Sequence, residues 1–279
     1  MTSWLRVPVK KKKADDNLLS TFFHQTSELE ITAEFLAYFN AAIYSSDNST
    51  PLSISDSYSS ISPSYPLLQN TFPTVHGISF TDIRSRSDIP LNRKQRDINA
   101  LISTMPEIAL RSLAKDLLTF KGTMQAQIDS LLEQIFLVET SKTSVAPKSS
   151  PVPKVVNLGL QIPPGTRNLS AYISAARDYQ KSVNASSLSI FVSTDDLTLE
   201  SLKRSADISW TLYSFPPLPG QSVMTRGPSI RQRQDGYVQK LAEIALLQKS
   251  VGFIGTLASS LGQFVYLTRD PTTYFKGVA

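Results

Sequence analysis

From residue 155 to residue 279 short apolar runs alternate with helical stripes. Val155–Ile162, Leu188–Val192, Trp210–Tyr213 and Val251–Gly255 are brief and rich in β-branched or aromatic residues, a pattern that predicts strands. Leu169–Gln180, Leu199–Arg204, Gly236–Gln248 and Ser259–Leu267, lying between and after them, carry apolar residues at helical spacing. Strand and helix in strict alternation imply parallel βαβ units with right-handed crossovers.

The first half has a different texture. Ile31–Tyr44 is apolar on most sides and predicts a buried helix with Thr32 as its N-cap; Leu52–Ser55 alternates like a short strand inside the Ser- and Pro-rich loop 45–66. Leu110, Leu113, Leu117 and Phe120 form one stripe of a helix from Pro106, and Met124 to Ile135 form a second after the break at Gly122. Thr140–Lys154 has no apolar stripe and reads as a linker. The expected organisation is a flexible basic tail over 1–18, a mainly helical lobe over 19–139, the linker over 140–154, and a Rossmann-like parallel-sheet lobe over 155–279.

Composition narrows the chemistry. The chain of 279 residues is 41% hydrophobic and 18% charged, enough apolar material for a sizeable core. Cysteine is absent and only His24 and His76 supply imidazoles, which excludes disulfides, thiolate metal sites and a cysteine nucleophile; no metal site is expected. The net charge of +5 is partly concentrated in Lys10–Lys13, read as a solvated tail rather than a nucleic-acid contact. No apolar run is long enough to cross a bilayer and no signal peptide opens the chain. Neither a Gly-x-Gly-x-x-Gly turn nor a phosphate-binding lysine loop is present, so dinucleotide dehydrogenases and P-loop ATPases are not supported.

In an open parallel sheet ligands bind beyond the carboxyl ends of the strands. Those positions hold Ser193-Thr194-Asp195-Asp196, Thr256-Leu257-Ala258-Ser259-Ser260 and Pro163-Pro164-Gly165-Thr166-Arg167. Hydroxyl residues opening a helix present N–H groups and a positive dipole end to an anion, making Thr256, Ser259 and Ser260 a candidate diphosphate cradle; helix capping is the plainer reading of the same residues. Asp195 and Asp196 carry acceptors for ribose or base N–H groups, or equally an ordinary cap.

Together these segments resemble the GDP-fucose-dependent fucosyltransferases, in particular the α1,6-fucosyltransferases. The carriers are Ser189-Ile-Phe-Val-Ser-Thr-Asp-Asp196, the helix from Gly236 with Glu243, and Phe253-Ile-Gly-Thr-Leu-Ala-Ser-Ser-Leu-Gly-Gln-Phe-Val-Tyr266. The resemblance implies a GT-B-like α/β fold and an inverting, metal-independent sugar transfer without a resident cofactor, with a nucleotide sugar as co-substrate and a glycan as acceptor. It places Thr194, Asp195, Asp196, Glu243, Thr256, Ser259, Ser260, Gln263 and Arg167 on the donor, and a Golgi or secretory location. Three departures stand out. The family's diphosphate-binding arginine pair is Pro163-Pro164 here, its proposed general base falls on Ala171, and its downstream arginine is Gln263. Arg226, Arg231 and Arg233 are candidate replacement cations, and no catalytic residue is assigned.

Three readings follow: an active glycosyltransferase, a non-catalytic sugar-nucleotide or glycan binder, and a structural or capsid-type protein suggested by the Ser-rich loops. Substituting Asp195 or Ser259 by alanine is expected to weaken nucleotide-sugar binding while barely changing stability. Asn48, Asn168 and Asn184 begin N-x-[ST] sequons, acceptors only along a secretory route.

Overall fold

The computed structural model describes residues 22–25, 31–47, 52–55, 61, 65–73, 78–80, 105–142, 157–166, 168–215 and 229–278. Their elements are β1 (Phe22–Gln25), α1 (Ile31–Asp47), β2 (Leu52–Ser55), α2 (Leu67–Thr71), β3 (Ile78–Phe80), α3 (Glu107–Leu117) and α4 (Gly122–Lys142). They continue with β4 (Leu158–Gln161), α5 (Leu169–Ser182), β5 (Leu188–Ser193), α6 (Asp196–Ser205), β6 (Trp210–Tyr213), α7 (Ile230–Lys249), β7 (Gly252–Gly255), α8 (Ser260–Thr268) and β8 (Tyr274–Gly277).

The second half is a five-stranded sheet in the order β6-β5-β4-β7-β8, every neighbouring pair parallel. The chain moves outward from β4 through β5 to β6, then crosses back to β7 and outward to β8. Its direction therefore reverses between β4 and β7, the place where doubly wound sheets open a crevice at their carboxyl edge. The strands β4, β5 and β7 are buried throughout because both faces are covered, which is why they read as continuous apolar runs. Alternation along them feeds two cores. Leu158, Leu160, Ile190, Val192 and Ile254 pack with α5 and α6, whereas Phe191 and Phe253 point to the opposite face, beneath α7 and α8.

That second core also takes in the first half of the chain. Phe35, Tyr38 and Phe39 of α1, Leu67 and Leu68 of α2, Ala114 and Leu117 of α3, and Met124 and Ile128 of α4 join Leu241, Ile244, Phe264 and Val265 in one cluster. Phe35 stands edge-on to Phe72 at 4.8 Å and tilted against Phe264 at 5.4 Å. Beside these helices β1, β2 and β3 form a three-stranded parallel sheet, of which only β2 is legible in the sequence.

Several boundaries differ from expectation for local reasons. Helix α4 continues through Thr140–Lys142, residues read as the start of the linker; residues 143–156 lie outside the described residues, as does the basic tail. Helix α7 begins at Ile230 rather than Gly236 because Ser229 and Gln232 close a capping box in front of it. Thr32 is not an N-cap: α1 already includes Ile31, and the buried Thr32 hydroxyl meets the Ser260 hydroxyl at 2.9 Å. No described helix is long and apolar enough to cross a membrane.

Candidate functional site

The candidate residues collect along the carboxyl edge of the large sheet. At the end of β5, Asp195 is the N-cap of α6, accepting from the Thr198 amide at 2.9 Å and from the Thr198 hydroxyl at 2.7 Å. Its carboxylate also accepts from the Gly165 amide at 3.4 Å, so it ties the turn after β4 to the turn after β5. The Thr198 hydroxyl and amide, with lesser help from Gly165, hold the Asp195 carboxyl below the ordinary carboxylate range. Asp196 follows on the exposed surface, and the hydroxyl of Thr194 is enclosed without a hydrogen-bond partner.

At the end of β7 the turn is closed on itself. The Thr256 hydroxyl accepts from the Ala258 amide at 3.2 Å, and Ser259 caps α8 by accepting from the Gly262 amide at 3.0 Å. Gly262 is required there, since a Cβ would stand 1.9 Å from the Thr256 carbonyl oxygen. The exposed Gln263 donates to the Leu257 carbonyl at 2.7 Å. Between the two turns the buried Gln161, last residue of β4, accepts from the Thr256 amide at 3.2 Å. Gln161 to Thr256 and Asp195 to Gly165 thus join three neighbouring strand ends into one polar rim.

The hydrogen bonds of Asp195 and Ser259 are those of helix caps, the plainer reading of the two residues. What the rim offers a ligand is the exposed Asp196 and the positive dipole end of α8.

A further group escaped the sequence reading. Ser193, facing the α7 side of β5, donates to Glu243 Oε1, and Glu243 Oε2 lies 3.0 Å from Lys240 Nζ. Glu243 thus holds a lysine one helical turn nearer the carboxyl edge. The signal was present in the i, i+3 pairing of Lys240 with a residue already singled out and in the polar ends of two apolar strands, Gln161 and Ser193. The donor-site candidate Arg167 and, of the proposed replacement cations, Arg226 lie outside the described residues. Arg231 is exposed on the side of α7 opposite Lys240, whereas Arg233 is half-buried two turns from Lys240 on the same side, its Nε enclosed and unbonded. Ala171, where the resemblance implies a base, offers no proton acceptor.

No family model and no curated protein matches the chain. Among solved structures it is similar to the NodZ α-1,6-fucosyltransferase soaked with GDP-fucose, at 13% identity and a TM-score of 0.54, covering 89% of this chain and 92% of that one. The fucosyltransferase NodZ from Bradyrhizobium gives 12% identity, a TM-score of 0.54 and coverage of 89% and 93%. A variant of Arabidopsis thaliana FUT1 in complex with GDP gives 9% identity, a TM-score of 0.49 and coverage of 92% and 70%. The chain has a fucosyltransferase-like GT-B fold, and the likeness to NodZ runs over most of both chains.

Proposed function

We propose that this protein binds a nucleotide diphosphate sugar, GDP-fucose by resemblance, at the carboxyl edge of β4, β5 and β7, and transfers the sugar to a glycan. The observation that carries the reading is the polar rim at the reversal point of a doubly wound sheet, in a fold whose structural neighbours bind GDP-fucose or GDP. Asp196 would face the nucleoside. The N–H groups opening α8 would face phosphate, while Asp195, Thr256 and Ser259 hold the turns in shape from behind.

A second reading, a binder that has lost catalysis, is favoured by Pro163-Pro164 and Ala171 at the positions where the resemblance implies cations and a base. Calorimetry with GDP-fucose, GDP and unrelated nucleotide sugars, followed by a fucose-release assay, separates them. Binding with turnover supports transfer, binding alone supports the second reading, and no binding removes both. A glycan acceptor and a secretory location belong to the same proposal.

A further inference from the structure

A nucleoside diphosphate is an anion, and the loop that should meet it carries Pro163-Pro164. Arg167 ends that loop, outside the described residues, and a further cation can come from a neighbouring element. Helix α7 crosses the face of β4 and β5, and its side chains near Glu243 stand level with the strand ends, since Glu243 accepts from the last residue of β5. Lys240 lies three residues earlier in α7, about 4.5 Å further along the helix axis and so beyond the end of the strand. Its ammonium has three donors, of which one is directed at Glu243 at 3.0 Å. Its side chain is 29% exposed, against 17% for Glu243, so the cation is open to a ligand while its anchor is covered.

Protein kinases also position a phosphate-binding lysine through an ion pair with a glutamate, there from a separate helix. Here the glutamate is itself fixed by Ser193, so the order is strand end, carboxylate, ammonium. We infer that Lys240 is the cation that meets the diphosphate of the ligand, in place of the arginine pair absent from the β4–α5 turn. This rests on the binding reading given above and adds the residue that makes the site selective for a phosphorylated ligand. Arg233, two turns along the same side of α7, extends the positive strip away from the sheet.

The test compares GDP with guanosine by calorimetry on the parent chain, Lys240→Met, Lys240→Arg and Arg204→Met. The last removes the same charge from the exposed end of α6, at the opposite edge of the sheet. Lys240→Met should weaken GDP binding about ten- to a hundredfold and leave guanosine within about twofold, with a shallower dependence on salt. Lys240→Arg should restore much of the loss, and Arg204→Met should bind like the parent. If the parent binds GDP and Lys240→Met binds it equally, or if Arg204→Met loses as much, the inference is overturned while the binding reading stands. If the parent binds neither GDP nor guanosine, the binding reading falls and the inference with it. Circular dichroism of each variant separates lost binding from lost fold: an unfolded Lys240→Met beside a folded Lys240→Arg that fails to bind also overturns the role.

Discussion

Asp195 shows how one side chain can carry two meanings. Its hydrogen bonds to the Thr198 amide and hydroxyl satisfy the opening turn of α6, and its contact with Gly165 fixes the neighbouring turn. Asp195→Ala should therefore lower stability by about 1 kcal/mol, the ordinary worth of an N-cap, measured by urea denaturation. The pH dependence follows from its lowered pKa. The folded form holds the proton less tightly than the unfolded chain, where an aspartate titrates near ~3.9, so the ionised cap stabilises above that pH and is lost as pH falls through the folded value. The gap between parent and Asp195→Ala measured at neutral pH should narrow below about pH 4. A gap that is unchanged in acid would mean that charge is not part of the cap. The sequence placed Asp195 at a strand end, but two roles share that position, and only the two hydrogen bonds donated by Thr198 distinguish them.

The helices are packed along their length into the two cores, and their ends carry further contacts that fix the last strands of the sheet. Arg269 is 4% exposed and spreads its guanidinium over the final carbonyls of α7: Nη1 donates to Leu247 O at 2.5 Å and Gln248 O at 3.1 Å, and Nη2 to Ser250 O at 2.8 Å. Burial pushes its pKa down to about 10, which leaves it charged at neutral pH, where it complements the negative end of the helix. A lysine cannot reproduce a planar fork on several acceptors, so Arg269→Lys should cost about 2–4 kcal/mol, read from the denaturation midpoint. Gly262→Ala should cost about 1–3 kcal/mol or more, because the clash with the Thr256 carbonyl oxygen must move the whole β7–α8 turn. At this scale the sequence was most legible where both faces of a strand are apolar, as in β4, β5 and β7. It failed at β8, Tyr274–Gly277, an edge strand of two aromatics, a lysine and a glycine that is too short to show periodicity and pairs with Gly252–Gly255. The same limit hid β1 and β3, which are three or four residues long and have no periodicity to read.

Across the whole molecule, the two halves meet in one aromatic and aliphatic core rather than at a narrow seam. Phe35→Ala empties a fully buried site touching Phe72 and Phe264 and should cost about 3–5 kcal/mol. Because the cluster joins helices from both halves, the loss should appear in one transition. Fluorescence of Trp210, at the far edge of the large sheet and isolated by Trp4→Phe, should move together with far-ultraviolet dichroism. Two separated transitions would show that the halves unfold independently. The sequence could not reveal this union, since a stripe such as Leu110, Leu113 and Leu117 says that one face is covered and not by which element. The hydroxyl pair Thr32 and Ser260 joins positions 228 residues apart. On a ribosome adding about 5–20 residues per second, the apolar side of α1 therefore waits roughly ten to forty-five seconds for its partner helix to be synthesised. Until then only nearer parts of the chain, such as Phe72 against Phe35 and Tyr38, can cover some of that aromatic surface, so the protein's yield in a cell should fall when chaperone capacity is limiting.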